Sequence, residues 1–482
     1  MIQRTVGFGR GVLFCRWLTP ETAGQWDVVY SFLLLAAPLA VLGVPGSFGR
    51  YLEHFRQRGH LQTFLRRTAA WTAVCSLVCV FAIAWWAPSI SEKLFGSPAY
   101  VGLVHGTAIC LIAIILHHTL TSLLTALRLF RVVSVMNFAQ SLVFATVALV
   151  LLHGNASVAS ILVGYAVACL LSFLGALVWV WPDLRKIDQP AETLPHAAFW
   201  PRLLKFAFFV WIANLLGNLF AIADRYMIIH YSGLSSSQSL EQIGFYHSSR
   251  MLPMLLVSFA DLLAGLVMPH LSHDWEAGRR EQVGRRLNLI VKLTALGMLG
   301  VGVGVLLFAP LLFQIILQGK YADGLVVLPW TLAGCVWFAI FSVAQNYLWC
   351  AEKTRQATAT LALGLGVNVA LNLLLLPRWG LLGAVVATAL STGLCLVVIL
   401  MLSRRHGMAL DRGTWLVALL PFALAGGLPT ATATLLVLLL ASGTTNLVFS
   451  DEERGQLRAL LVDFAAKLKP YWPRRLTATG NL

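Results

Sequence analysis

Nearly all the positive charge of this 482-residue chain falls in alternate gaps between its apolar stretches. Of its 35 lysines and arginines, 29 fall in eight clusters: the N-terminus, Arg50–Arg67, Arg128–Arg131, Arg185–Lys205, Arg279–Lys292, Lys353–Arg355, Arg404–Arg412 and the tail. The others, Arg16, Lys93, Arg225, Arg250, Lys320 and Arg378, lie in the intervening gaps or within the stretches themselves. Positive loops stay on the cytoplasmic side during membrane insertion. The pattern therefore predicts a multi-pass protein of the cell (inner) membrane, with an even number of spans and both termini cytoplasmic.

Bulk composition agrees. Charged residues make up 11% of the chain and mean hydropathy is +0.78, whereas a soluble domain carries about 25% charged residues. A net charge of +15 would suit nucleic acid, but its confinement to short loops is explained by topology and by contact with lipid head groups. The 8 cysteines all lie in apolar stretches. Cys75 and Cys79 share a helix face but lack the further ligands that zinc requires. The first stretch is broken by Arg4, Arg10 and Arg16, so it does not read as a cleavable signal.

A span needs about 20 apolar residues. Such stretches occur at 2–19, 27–48, 68–88, 99–126, 132–152, 157–181, 203–223, 243–270, 289–318, 324–350, 356–376 and 379–402, with two shorter ones near 414–428 and 430–448. The expected fold is an all-α membrane bundle of 12–14 spans. A repeat of about 220 residues divides it. Gly59, Arg66 and Arg67 after the second span are matched by Gly278, Arg285 and Arg286 after the eighth; Arg131 and Arg355 precede the fifth and eleventh. Six spans separate each pair, which gives parallel repeats with a substrate site between halves. The expected organisation is a six-helix lobe over 1–181, a cytoplasmic linker over 182–202 interrupted by Pro182, Pro190, Pro195 and Pro201, a second lobe over 203–402, two extra spans over 403–448 and a tail over 449–482. In the tail, Ser450 and Glu453 form a capping box. Leu457, Leu460, Leu461, Phe464 and Leu468 share one face, for the membrane surface or for the bundle's own loops.

Nucleotide-binding loops, zinc-protease helices and nucleophile elbows are absent from the sequence. No outer gap is large enough for a glycosyltransferase or ligase centre. Gly300, Gly302 and Gly304 lie mid-span and read as close helix packing. No cofactor is expected, and transport would be driven by an ion gradient, the membrane potential or substrate flux.

Ionisable groups inside spans are costly and are functional candidates. Arg250 and Asp261 in the eighth span are 11 residues apart, which places them on one face about 16 Å apart. Pro253 lies between them, and His247 precedes Arg250 on that face. The seventh span carries a polar or small stripe, Asn214, Gly217, Asn218, Ala221 and Arg225, with Asp224 off it. Arg50 with Glu53 lies at the end of the second span and Arg16 at the end of the first. Asn368 and Asn372 share a face of the eleventh. Bland readings compete: an interfacial ion pair for Arg50 and Glu53, a loop anchor for Asp224 and Arg225, and helix–helix glue for the asparagines. Guanidinium groups grip phosphate in a fork, so arginines around a cavity would suit a polyanionic head group.

Several stretches carry a resemblance. These are Arg16-Trp17-Leu18-Thr19-Pro20-Glu21-Thr22-Ala23-Gly24; Asp224-Arg225-Tyr226 followed by Ile243-Gly244-Phe245-Tyr246 and Arg250; Met268-Pro269-His270-Leu271-Ser272; and Asn372 to Ser391, with Leu376-Pro377-Arg378-Trp379-Gly380-Leu381-Leu382-Gly383-Ala384. In order and spacing, over about 1–450, the chain resembles the polysaccharide flippases of the MOP superfamily, which includes lipid II flippases and MATE exporters. That resemblance implies two six-helix lobes in a V around a central cavity. It also implies alternating-access flipping of a polyprenyl-diphosphate-linked oligosaccharide for envelope or exopolysaccharide synthesis. Arg250 matches a cavity arginine that would hold the diphosphate, with Arg50 and Arg16 as further candidates. Asp261 and Asp224 are candidates for ion coupling; Asn214, Asn218, His247, Asn368 and Asn372 for cavity polarity. The Ser-rich segment Gly233–Gln242 departs from the family as a longer loop. Expected partners are the lipid-linked oligosaccharide, membrane lipids and a glycosyltransferase or polymerase complex, with no nucleic acid and a monomeric state. The competing readings are a MATE-like ion-coupled exporter, disfavoured because no carboxylate precedes Glu21, and a non-transport scaffold of a polysaccharide synthase.

Overall fold

The computed structural model describes residues 2–185 and 195–458, and among these every regular element is helical. The first half contains α1 (Ile2–Trp17), α2 (Pro20–Ala40), α3 (Phe48–Gln57), α4 (Leu61–Trp85), α5 (Ala87–Phe95), α6 (Val101–Ala126), α7 (Phe130–Gly154) and α8 (Val158–Arg185). The second contains α9 (His196–Tyr231), α10 (Ser236–Glu276), α11 (Arg280–Leu311), α12 (Ala322–Ala344), α13 (Asn346–Cys350), α14 (Thr354–Trp379) and α15 (Leu381–Arg405). Then follow α16 (Arg412–Leu419), α17 (Pro421–Ala425) and α18 (Leu428–Thr444), which pack on α11. Each of the fourteen expected spans corresponds to one helix or to consecutive shorter ones. Among the described residues, ten helices are long and apolar enough to cross a membrane. The protein is a multi-pass membrane bundle of two six-helix lobes in a V.

Local chemistry sets where the helices begin. Thr19 accepts a hydrogen bond from the Thr22 amide at 3.2 Å and Pro20 opens α2, a favoured N-terminal pairing. This start lies two turns before the apolar stretch, so Asp27 belongs inside the helix. Ser235 and Gln238 form a capping box that opens α10. The Ser-rich segment expected as a longer loop is therefore mostly the first turns of α10, and the true connection is only Ser232–Ser235. The expected linker narrows likewise, because α8 runs through Pro182 and α9 through Pro201. Pro190 lies outside the described residues. Gly302 packs tightly, since a Cβ there would meet Leu424 Cδ2 at 2.8 Å, but Gly300 and Gly304 face open space. Close packing thus explains one of the three.

The lobes meet most tightly away from the basic loops. A Cβ on Gly24 of α2 would lie 1.8 Å from the Leu240 carbonyl oxygen, and one on Gly244 of α10 would lie 1.9 Å from the Pro20 carbonyl oxygen. Only glycine permits this approach. Around it, Lys320 donates to the Arg16 carbonyl at 2.8 Å, Tyr321 to that of Leu18 at 3.3 Å, and Ser236 to that of Gly96 at 2.8 Å. His230 bonds the Lys93 carbonyl at 2.7 Å. These contacts form a seam that closes one end of the V. At the basic end, Phe199 and Leu203 of α9 pack on Phe48, Phe55 and Phe64 of the N-terminal lobe.

The expected capping box at Ser450 and Glu453 forms: Glu453 accepts from the Ser450 amide at 2.8 Å and Ser450 from the Glu453 amide at 3.2 Å. Glu453 also accepts from Lys292 of α11 at 2.8 Å, and Lys292 pairs with Asp411. Leu457 packs against the core, so the described start of the tail helix docks on the bundle. Leu460, Leu461, Phe464 and Leu468 lie outside the described residues.

Candidate functional site

Below the seam lies a cavity of 460 Å³ between the lobes. Its basic lining comes from Arg4 and Arg10 of α1, Arg225 of α9 and Arg250 of α10, with His247 beside them; Asp27 of α2 is the one carboxylate. Four guanidinium groups against one carboxylate leave an excess of three positive charges with the histidine neutral. Asp27 is buried and accepts from Arg225 Nε at 2.8 Å, while His247 Nδ1 lies 2.8 Å from its other oxygen. Arg225 also donates to the Ala221 carbonyl at 2.7 Å. Opposite charges satisfied in this way persist in a low-dielectric interior. Because Asp27 and its partners belong to different lobes, this pair is a polar extension of the glycine seam.

Arg250 is differently placed. Its guanidinium lies over the Tyr246 ring at 5.2 Å and touches Met254. Among the described residues it has no carboxylate partner, so its donors are available to a ligand. It also lines a second cavity of 280 Å³ inside the C-terminal lobe, together with Asp261 and Asp224. The predicted shared face of Arg250 and Asp261 is thus the face turned to this C-lobe cavity.

Asp224 anchors a separate polar centre. It is buried and accepts from Tyr246 Oη at 3.0 Å, Thr388 Oγ1 at 2.6 Å and Asn368 Nδ2 at 3.2 Å, with Asn372 Nδ2 at 3.5 Å. Four helices, α9, α10, α14 and α15, converge on this carboxylate, and every donor on it is neutral. Among the described residues the buried amide oxygen of Asn372 has no hydrogen-bond partner.

Other expected site residues are dispersed. The seventh-span stripe faces the lumen: Ala221 and Arg225 line the central cavity, and Asn214 and Asn218 an adjoining one. Asn218 also donates to the Leu34 carbonyl of the other lobe at 3.3 Å. Arg16 is exposed at the seam end. Arg50 lies at the basic end on α3, over Phe206 at 4.8 Å, while Glu53 pairs with Arg56. Neither Arg16 nor Arg50 lines the cavity that holds Arg250, so a three-arginine clamp of these residues does not assemble in this conformation. Arg4 and Arg10 of the short first helix stand there instead. Asp27 was hidden because the apolar stretch appeared to begin at it; Thr19 and Pro20 were the signal that the helix starts earlier.

Residues 1–274 match the sequence profile of a family described as Polysaccharide biosynthesis protein. The chain belongs to that family. No curated protein matches this member in sequence. Among solved structures it is similar to the lipid II flippase MurJ in an inward closed conformation, with TM-score 0.71 and 15% identity over 97% of this chain and 95% of that one. It is also similar to an inward-facing multidrug resistance MATE family transporter of the MOP superfamily, with TM-score 0.68 and 11% identity over 84% and 94%. An outward-facing MATE family transporter gives TM-score 0.52 and 15% identity over 84% and 92%. This member of the polysaccharide biosynthesis family therefore shares the fold of these transporters.

Proposed function

We propose that this protein flips a polyprenyl-diphosphate-linked oligosaccharide from the inner to the outer leaflet of the cell membrane by alternating access, with both termini cytoplasmic. The observation that carries this reading is the inter-lobe cavity whose arginines outnumber its carboxylates, with Arg250 unpaired. A diphosphate accepts several charge-assisted hydrogen bonds and prefers the fork of arginine. Arg250 would be its principal ligand, with Arg10 and Arg4 lending positive potential and Arg225 retained by Asp27. Family membership and the wider coverage by the lipid flippase fold support the same reading. A cation exporter would need a cavity of the opposite sign.

Asp224 is the favoured coupling residue. A buried carboxylate held only by neutral donors, with side-chain oxygens from Asn368, Asn372 and Thr388 around it, suits a proton or a small hard cation with oxygen ligands. Asp261 lines the same C-lobe cavity and is the weaker candidate. Cation binding at Asp224 would act on the packing of α9, which carries Arg225 and thus one half of the inter-lobe pair.

Binding to purified protein in detergent tests the substrate class. Labelled polyprenyl diphosphate, polyprenyl monophosphate and a lipophilic cation are compared on wild type and Arg250→Ala. The diphosphate is expected to bind most tightly and to lose roughly tenfold to a hundredfold affinity in the variant, the worth of a charged hydrogen-bonded contact. Preference for the cation would support the exporter reading instead.

A further inference from the structure

The lumen does not end at the arginines. On the side of the N-terminal lobe the central cavity adjoins another of 340 Å³, and the two share Tyr30 and Leu34. Its walls come from α2, α6, α8 and the turn at Gly43–Gly46, closed by α9 from the other lobe. The chemistry changes at this boundary. The arginines give way to two tyrosines, Tyr30 and Tyr165, 6.1 Å apart, and to the uncharged polar groups of Thr119, Ser122, Asn214 and Asn218, with His118. Among the described residues no hydrogen bond engages the side chains of His118, Thr119, Ser122 or Asn214. A helix-glue role leaves asparagine engaged, as with Asn218 and Leu34; Asn214 is exposed to the lumen instead.

On its other side the central cavity shares Arg4, Leu255 and Ser258 with an apolar groove of 870 Å³ between α10 and α11. The three spaces thus run in order from apolar, through cationic, to aromatic and amide-rich. An amphiphile with an isoprenoid chain, a diphosphate and a sugar has the same order of chemistry along its length.

We infer that the N-lobe pocket is the glycan subsite, taking the sugar next to the diphosphate, uncharged or N-acetylated. Aromatic rings offer apolar faces to the C–H face of a sugar, while free amide and hydroxyl groups exchange hydrogen bonds with its hydroxyls. The pocket holds no carboxylate and no arginine, which disfavours a sulfated or uronic sugar at that position. The unpaired amide and hydroxyl groups find partners only when a sugar supplies its hydroxyls, so this subsite would set which lipid-linked sugar is carried.

This inference rests on the flippase reading, and the experiment separates the two. Purified full-length protein is titrated with polyprenyl diphosphate, bare or carrying glucose, galactose, N-acetylglucosamine or glucuronic acid. The proteins are wild type, Arg250→Ala, and the pair Asn214→Ala/Ser122→Ala, whose side chains make no hydrogen bond among the described residues, with thermal unfolding checked to match wild type. At least one neutral sugar should bind wild type more tightly than the bare lipid. The paired variant should lose roughly tenfold for that lipid and nothing for the bare one, whereas Arg250→Ala should weaken both alike. No neutral sugar improving on the bare lipid, or a paired variant that weakens bare and sugar-bearing lipids equally, would overturn the subsite. A bare lipid that fails to bind wild type would instead overturn the flippase reading.

Discussion

Two buried carboxylates, Asp27 and Asp224, are surrounded in opposite ways. Asp27 lies between the lobes and is neutralised by Arg225, with His247 on its other oxygen. Asp224 lies within the C-terminal lobe and is held by Tyr246, Thr388, Asn368 and Asn372, all uncharged. An ion pair that spans a seam is broken when the lobes part, so Asp27 belongs to the closure of the V. Asp224 and its neutral donors all belong to the C-terminal lobe, so parting of the lobes leaves its hydrogen bonds in place.

The largest expected effect comes from the seam itself. Gly24→Leu or Gly244→Leu puts a side chain where a carbonyl oxygen already lies within 2 Å of the Cβ position, so the lobes must separate at that end. Spin labels at Lys93 and His230, whose groups are 2.7 Å apart in the closed form, should report a longer distance. An unchanged distance with the variant folded would break the comparison, because the seam would then not hold the lobes.

Next comes Asp27→Ala. It leaves Arg225 buried without its counter-charge, which costs about 3–5 kcal/mol when one partner of a buried pair is removed. Detergent thermal unfolding should show this loss, and Asp27→Ala/Arg225→Ala should recover part of it. Asp224→Asn should be milder, because an amide can still meet hydroxyl and amide neighbours. Its predicted signature is loss of cation dependence of transport with stability nearly retained. Equal destabilisation by the two substitutions would erase the distinction.

The smallest effect concerns a third ionic centre outside the spans. Burial tends to raise the Asp411 pKa, but hydrogen bonds from Lys292 and Thr414 outweigh it and hold the carboxyl below its ordinary value. Its native pKa is therefore the lower one. The stabilisation is present above the unfolded value and is lost as pH falls through the native one. Amide exchange around residues 448–458, where Lys292 also holds Glu453, should be constant from pH 7 to about 5 and quicken below about 4. Faster exchange already between pH 7 and 6 would assign the docking to another group.

The all-α, multi-pass character and the order of the helices were legible because hydropathy records the demands of the bilayer directly. Helix register was legible too: the 11-residue spacing turned Arg250 and Asp261 to one cavity of the C-terminal lobe, and Asn368 with Asn372 to one neighbour, Asp224. What the sequence concealed was pairing across the lobes. Nothing local marks Asp27 as the partner of Arg225, 198 residues away. Arg16 and Arg50 looked equivalent to Arg250 because sequence shows charge but not which end of a helix meets the cavity. Arg4 and Arg10 were read as interruptions of a span, although their place on α1 turns them into the lumen.

The most direct test is leaflet translocation in proteoliposomes. A polyprenyl-diphosphate oligosaccharide labelled on its sugar is exposed to an impermeant glycosidase, with wild type, Arg250→Ala and Arg250→Lys. Rapid accessibility with wild type, partial with Arg250→Lys and none above protein-free vesicles with Arg250→Ala is the predicted result. Full translocation by Arg250→Ala would contradict the claim that the unpaired arginine carries the diphosphate across.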